Sequence, residues 1–176
     1  VLSGADGDGA LGIKRIKERR GLTIGQDPEE AEYSDMPRAA IHTGMIDWVM
    51  EVAQIPERLL EYRDNGSRLR LPPDDGPPPT VPSPPTSEQD ELSLRDVLVY
   101  LRMRTGRDFS YYKRATILRR IARRMQVNAL EDLPAYLTYL RMHPSEANAL
   151  LQDLLISVTN FLRDRDAFEA LESHIP

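Results

Sequence analysis

The stretch "LPPDDGPPPTVPSPPTSEQDE", residues 71–91, divides the sequence into two regions of different character. Most of the 14 prolines of the 176-residue chain lie in it. Proline fixes φ and donates no backbone hydrogen bond, so such a stretch predicts an extended spacer rather than a packed element. A ligand for proline-binding modules is the less common alternative. We therefore assign residues 65–90 to a Pro-rich disordered linker between a first region, 1–64, and a second, 91–176.

The composition excludes several classes of site. The chain has no cysteine, which rules out disulfides and thiolate metal sites, and its three histidines show no ligand spacing, so no metal is expected. No apolar run approaches the roughly 20 residues that a membrane span requires, so no membrane insertion is expected. Without an initiator methionine or a signal-peptide layout, the sequence suggests a piece of a longer cytoplasmic protein.

The first region alternates between strand and helix patterns. Short apolar runs in "VLS", "LTIGQ" and "MIDWVME" predict strands, and the segments "ALGIKRIKERRG", "MPRAAIHTG" and "IPERLLEYRDNG" predict helices. Alternation of this kind is typical of a parallel sheet covered by helices. The first region is therefore predicted to be an α/β fragment that holds part of such a sheet.

The second region has no strand pattern. Its first helix, "SLRDVLVYLRMRTG", is predicted to begin at a capping box of Ser93 and Asp96 and to end at Gly106. Ser145 is the predicted cap of a later helix, and "RDAFEALESH" is the last helix predicted. About five short helices indicate a small all-α helical bundle.

The loop "GADGDGALG", residues 4–12, carries three glycines in the spacing of a dinucleotide fingerprint. Asp6 and Asp8 lie within it and would repel a pyrophosphate. A calcium loop also fails, because Ala10 and Lys17 stand where oxygen ligands are needed. Two interpretations remain open: a turn with Asp8 stabilised at a helix N-terminus, or an aspartate that orients the histidine of a catalytic triad.

The segment "YYKRATILRRIARRM", residues 111–125, holds six basic residues and no acidic one. At 100° per residue its apolar side chains occupy one arc, and its cations occupy the opposite arc, which is predicted to face outward. Such a face is commonly just solvated, but like charges in one place repel, so an acidic partner is a fair inference. Nucleic acid remains an alternative, although amides that read bases are missing from this face. The cations of this arc are Lys113, Arg119, Arg120, Arg123 and Arg124.

The segments "SGADGDGALG" and "GLTIGQDPEEAEYSDMPRAAIHTGMIDWVM" resemble the C-terminal end of the chemotaxis receptor methylesterase (CheB-type) catalytic domain. The resemblance covers nearly all of residues 1–62. It implies that Asp8 is the acid of a Ser-His-Asp triad that hydrolyses glutamyl methyl esters on receptors. The family's catalytic serine and histidine have no counterpart in this chain, and His42 stands at a position usually held by a small residue. Esterase activity from this polypeptide alone is therefore not expected.

Residues 94–171, with the signature "LLISVTNFLRD", resemble the N-terminal helical domain of the chemotaxis receptor methyltransferase (CheR-type). This family methylates receptor glutamates with S-adenosylmethionine, and its basic helix is thought to dock on the acidic methylation helices of chemoreceptors. The resemblance assigns that docking to the five cations named above. It places Thr159 and Arg163 at the cofactor, Arg163 also in catalysis, and Ser157 where some members contact the cofactor through an asparagine. The cofactor-binding domain of the family has no counterpart here, so no cofactor is expected to bind this piece.

The two resemblances together predict part of a bifunctional chemotaxis protein that writes and erases glutamyl methyl esters, with both active sites incomplete in this chain. S-adenosylmethionine would serve the full-length parent, and chemoreceptor helices would be the partners. Two alternatives stay open: a non-enzymatic docking module, and nucleic-acid binding through the basic helix.

Overall fold

A computed structural model describes residues 1–69 and 88–156 of the protein. The described part holds two short strands and seven α-helices, with one 3₁₀ turn before the third helix. In chain order these are α1 (Ala10–Glu18), β1 (Ile24–Gln26), α2 (Asp35–His42), β2 (Trp48–Met50), α3 (Ile55–Gly66), α4 (Glu88–Thr105), α5 (Arg114–Val127), α6 (Leu133–Met142) and α7 (Pro144–Leu155).

The two strands form a parallel sheet. Ile24 lies opposite Trp48 and Gln26 lies opposite Met50, with α2 as the crossover between the strands. The predicted α/β character of the first region is thus confirmed. The segment "VLS" does not form the expected strand. Only Val1 lies alongside β1, where its carbonyl oxygen accepts a hydrogen bond from the Gln26 amide at 2.9 Å.

The first region buries few apolar side chains. Within its described residues the buried apolar side chains are those of Ile13, Pro37 and Ala40. Helix α2 ends as predicted, since Gly44 has a φ of 67°, a left-handed conformation that glycine adopts without steric cost. The small apolar core means that other contacts must contribute to holding this region in place.

Helices α4 to α7 form the predicted helical bundle around a single apolar core. Helix α4 packs on α6 and α7, and α5 packs on α7. Leu101, Ile121, Leu140 and Leu150 are completely buried at its centre, beside the ring of Tyr136. The apolar arc that helical phasing predicted for α5 points into this core.

Two helix starts differ from the sequence predictions. Helix α4 begins at Glu88, inside the predicted linker, so Ser93 lies buried within the helix and does not cap it. Acidic residues in the first turn stabilise this earlier start through the helix dipole. Ser145 likewise lies in the first turn of α7, after Pro144.

The predicted helix end at Gly106 is confirmed, with a φ of 70°. The proline-rich stretch and the predicted helix "RDAFEALESH" fall outside the described residues.

Candidate functional site

Three arginine side chains of α5 do not face outward as the sequence predicted. Arg120, Arg123 and Arg124 retain only 9%, 4% and 5% of their full exposure. The prediction of an outward basic face is therefore wrong for these three residues. They are covered by the first region on one side and by α7 on the other, and both supply carboxylates.

The buried charges form one group, which we call the interdomain cluster. It joins side chains from α1, from the residue before β2, from α5 and from α7. Four cations and three carboxylates belong to it. Its members are Lys17, Asp47, Arg120, Arg123, Arg124, Glu146 and Asp153.

Asp47 is the carboxylate that the first region contributes. Its Oδ1 lies 2.8 Å from Lys17 Nζ and 3.1 Å from Arg124 Nη1, and its Oδ2 lies 2.5 Å from Arg123 Nη2. The backbone N–H and the hydroxyl of Thr23 also donate to Oδ2, at 2.9 and 2.8 Å. Burial would raise the pKa of Asp47, but the charges of Arg123 and Lys17 and their hydrogen bonds outweigh it and lower the pKa.

Asp153 of α7 connects the same two cations from the other side. Its Oδ2 accepts a hydrogen bond from Arg123 Nη1 at 2.5 Å, and its Oδ1 lies 3.1 Å from Lys17 Nζ. The side chains of Asp153 and Lys17 are almost completely buried. A lysine from the first region and an arginine from the second therefore share one carboxylate that water scarcely reaches.

Arg124 and Glu146 form the pair with two parallel hydrogen bonds. Arg124 Nε lies 2.8 Å from Glu146 Oε1 and Nη2 lies 2.6 Å from Oε2, the geometry in which arginine binds carboxylates most strongly. Burial lowers the pKa of Arg124, but the hydrogen bonds and charge of Glu146 raise it above its ordinary value. The hydroxyl of Tyr136 donates to Glu146 Oε1 at 3.0 Å, and burial raises the pKa of that phenol well above 10.

Two of the buried arginines lack part of their possible acceptors among the described residues. The guanidinium of Arg120 donates to two backbone carbonyls, those of Lys17 and Ile156, and no carboxylate accepts from it among the described residues. Burial lowers its pKa. Arg123 Nε is buried with no hydrogen-bond partner within residues 1–69 and 88–156. Such groups carry a desolvation cost that a further acceptor would relieve.

Sequence reasoning did not single out the partners in the cluster, although helical spacing held a signal. Lys17 follows the buried Ile13 by four positions, so both lie on the inner face of α1. Glu146, Leu150 and Asp153 follow an i, i+4, i+7 pattern and lie on the buried face of α7. Charges on the apolar face of a helix indicate a buried ion pair.

The remaining two predicted docking residues are exposed. Lys113 immediately precedes α5, and Arg119 lies on the outer face of that helix, where its Nη2 is 3.4 Å from the hydroxyl of Thr116. The five cations predicted to share one face are therefore divided between the protein surface and the interdomain cluster.

The predicted catalytic residues are only partly described. Asp8 is exposed just before α1, near that helix's N-terminus as expected. Within the described residues no hydrogen bond joins it to a histidine, and His42 Nδ1 lies 3.1 Å from the carbonyl oxygen of Arg38. Ser157, Thr159 and Arg163 lie outside the described residues, so the fit of S-adenosylmethionine to them is a matter of sequence alone.

A surface groove of about 420 Å³ runs along α4. Two ion pairs form within its lining: Arg114 Nη2 lies 2.5 Å from Glu91 Oε1, and Arg102 Nη1 lies 3.0 Å from Asp108 Oδ2. Among the residues that the structure describes, no group of histidines and carboxylates could hold a metal ion. None of the described helices combines the length and the apolar character of a membrane span.

Comparison with protein families agrees with the two-part architecture. Residues 1–59 match the family described as CheB methylesterase. Residues 93–155 match the family described as CheR methyltransferase, all-alpha domain. The chain joins a CheB methylesterase segment to the all-alpha domain of the CheR methyltransferases. The methylesterase segment supplies Lys17 and Asp47 to the interdomain cluster, and the CheR all-alpha domain supplies the other members.

Among curated relatives, an uncharacterized 104.1 kDa protein in the hypE 3′ region of Rhodobacter capsulatus is 33% identical over 186 aligned residues. The alignment takes in 99% of this chain and 20% of that protein. A putative protein-glutamate methylesterase/protein-glutamine glutaminase of Leptospira interrogans is 41% identical over 70 residues, 40% of this chain and 36% of that protein. The corresponding enzyme of Pyrococcus abyssi is 47% identical over 72 residues, 39% of this chain and 20% of the enzyme.

The chain spans between a fifth and about a third of the length of these relatives. No solved structure shows a significant match to it. The two regions of the chain are thus similar to methylesterases and to the all-alpha domain of methyltransferases, respectively.

Proposed function

We propose that the chain is part of a bifunctional cytoplasmic protein that removes and adds methyl groups on chemoreceptor glutamates. The observation that carries this proposal is that one polypeptide holds both family segments, the methylesterase segment first and the CheR all-alpha domain after it. The CheR family depends on S-adenosylmethionine, which would serve the longer parent through Thr159 and Arg163.

Within this function, the CheR all-alpha domain is a docking domain for acidic receptor helices. Lys113 and Arg119 support this role as exposed cations at the start and on the outer face of α5. The excess of cations in the interdomain cluster adds positive potential behind them. Complementary charge of this kind chiefly accelerates association and selects the partner.

Docking is tested by titrating the 176-residue chain with a synthetic glutamate-rich helical peptide. Reversing both exposed charges, Lys113→Glu with Arg119→Glu, is expected to weaken binding about tenfold at low salt. The matched control is Arg141→Glu on α6, an exposed arginine of another helix, which should change binding little. Absence of binding at low ionic strength, or equal losses in both variants, would contradict the docking role.

The chain alone is not proposed to complete either reaction. Asp8 is the one triad residue that the resemblance assigns to this chain, and it has no histidine partner in the described part. Two assays test this: release of methanol from methylated receptor, and transfer of a labelled methyl group from S-adenosylmethionine. Turnover in either assay, lost on Asp8→Ala or Arg163→Ala respectively, would overturn the proposed inactivity.

A further inference from the structure

The contact between the methylesterase segment and the CheR all-alpha domain is mostly polar. The apolar core cluster belongs to α4–α7 and the loop before α5, and within residues 1–69 only the partly buried Leu69, which lies after the first region, packs against it. The first region instead contacts α5 through the interdomain cluster and through Gln126, whose Nε2 donates to the Tyr62 carbonyl at 2.9 Å. Polar interfaces between regions of one chain are typical of contacts that can open.

The charges at this contact also favour exchange. A buried ion pair gains little over its separated, hydrated partners, because desolvation offsets much of the attraction. Within the described residues, Arg120 donates to backbone carbonyls but to no carboxylate. Arg123 Nε has no hydrogen-bond acceptor there at all. The arginine face of α5 can therefore bind more carboxylates than Asp47 offers.

From this geometry we propose that the face formed by Arg120, Arg123 and Arg124 has two mutually exclusive acidic partners. One is Asp47 of the methylesterase segment, which occupies the face in the structure. The other is an acidic receptor helix, which binds when the segment moves away. The inference rests on the proposed docking function. It adds that the methylesterase segment covers the receptor-binding surface of the CheR all-alpha domain.

Mutual exclusion follows from the contacts at Asp47. Its two carboxylate oxygens contact Arg123 and Arg124, while Lys17 fills the space between Asp47 and Asp153. A helix that brings its own glutamates to these arginines must displace Asp47 and the α1 side chain beside it. The apparent affinity for such a helix is then the intrinsic affinity reduced by the fraction of open molecules.

Gln126→Ala tests the proposal without altering any charge. The variant removes a hydrogen bond between α5 and Tyr62, which should raise the open fraction and tighten binding of the glutamate-rich peptide about fivefold. Asp47→Asn should tighten binding further, because it removes the competing carboxylate. Equal affinity of the wild type and both variants would overturn mutual exclusion and leave the docking function standing.

A covalent cross-link that holds the contact closed tests the opposite effect, a lower open fraction. The chain has no cysteine, and a Cβ built at Gly66 would lie 2.6 Å from Gln126 Nε2, so Gly66→Cys with Gln126→Cys places two thiols across the contact. When these thiols are joined by a disulfide or a short reducible cross-linker, peptide binding should be lost, and reduction should restore it. Unchanged binding in the clamped form would overturn the proposal.

The single tryptophan supplies an internal signal. Trp48 follows Asp47, and its ring lies edge-on to Tyr62 with the centroids 5.9 Å apart. Its emission should shift on peptide addition in the wild type but not in the clamped form. If no form binds the peptide, including the opened variants, both the docking function and this proposal fail. A chain whose helical circular dichroism matches the wild type excludes misfolding as the cause.

Discussion

Asp47 and Arg123 are separated by 76 positions and by the proline-rich stretch, yet Asp47 Oδ2 lies 2.5 Å from Arg123 Nη2. Their side chains retain 0% and 3% of their exposure. The ion pairs of Asp47 with Arg123 and Arg124 thus connect the residue before β2 in the methylesterase segment to α5. Because neither charge can return to water while the contact is closed, removing one partner affects stability far more than at a surface.

Asp153→Ala is expected to destabilise the chain by about 3–5 kcal/mol, since it leaves the four buried cations of the interdomain cluster with only two carboxylates, those of Asp47 and Glu146. The free energy of unfolding from urea titrations provides the measurement. Glu29→Ala is the matched control, because the Glu29–Arg38 pair is similar in length, 3.1 Å, but exposed. It should change the free energy of unfolding by no more than about 0.5 kcal/mol. Equal effects of the two substitutions would refute the burial of Asp153.

Arg124→Lys should be costly even though it preserves charge. Lysine cannot reproduce the two parallel hydrogen bonds to Glu146 or reach Asp47 at the same time, so a loss of about 1–3 kcal/mol in the free energy of unfolding is expected. Arg119→Lys, on the exposed face of the same helix, is the comparison and should be neutral. A neutral Arg124→Lys would show that the bidentate geometry contributes nothing.

The acid dependence of stability should report the lowered pKa of Asp47. A carboxylate with a lower pKa in the folded state contributes stability above its ordinary value of 3.8, and that contribution is lost as the pH falls through the folded-state pKa. The free energy difference between the wild type and Asp47→Asn should therefore be largest near neutral pH and shrink below about pH 4. Urea titrations at several pH values measure it. A difference that stays constant with pH would contradict the shift.

Tyr136 should contribute to the loss of stability at alkaline pH. Its pKa is raised by burial and by the neighbouring Glu146, so it contributes stability below the ordinary value of 10 that is lost as the pH rises towards the folded-state pKa. Tyr136→Phe removes the hydrogen bond to Glu146 and should cost about 1–3 kcal/mol near neutral pH. The variant should then lose less stability than the wild type above pH 10. Phenolate absorbance followed with pH provides the second measurement, and titration of all seven tyrosines at their ordinary pKa would contradict the burial.

The sequence was sufficient to predict most element types and the order of an α/β region before a helical one, because these depend on local periodicity and on glycine and proline. Parallel pairing of β1 and β2, the helix ends at Gly44 and Gly106, and the apolar face of α5 all follow from such patterns. The start of α4 was missed because Ser93 fits a capping box equally well, whereas the acidic turn from Glu88 extends the helix beyond it.

The environment of the arginines could not be read from α5 alone. Helical phasing gives the direction of Arg123 relative to Ile121, but burial depends on what covers that direction, here Lys17 and Asp47 from a distant part of the chain. Charges on the inner stripe of α7 were the available clue. The roles of Asp8, Ser157, Thr159 and Arg163 remain predictions from resemblance.

The methylesterase segment and the arginine face of α5 belong to one polypeptide. This connection determines the concentration that an outside acidic helix needs in order to compete with Asp47 for the arginines. Joining two partners through a short linker gives an effective local concentration on the order of millimolar. If the proposed competition holds, an acidic partner helix must reach a comparable local concentration to displace Asp47. The proposed exchange would therefore favour a partner that presents several acidic helices close together over a single helix in solution.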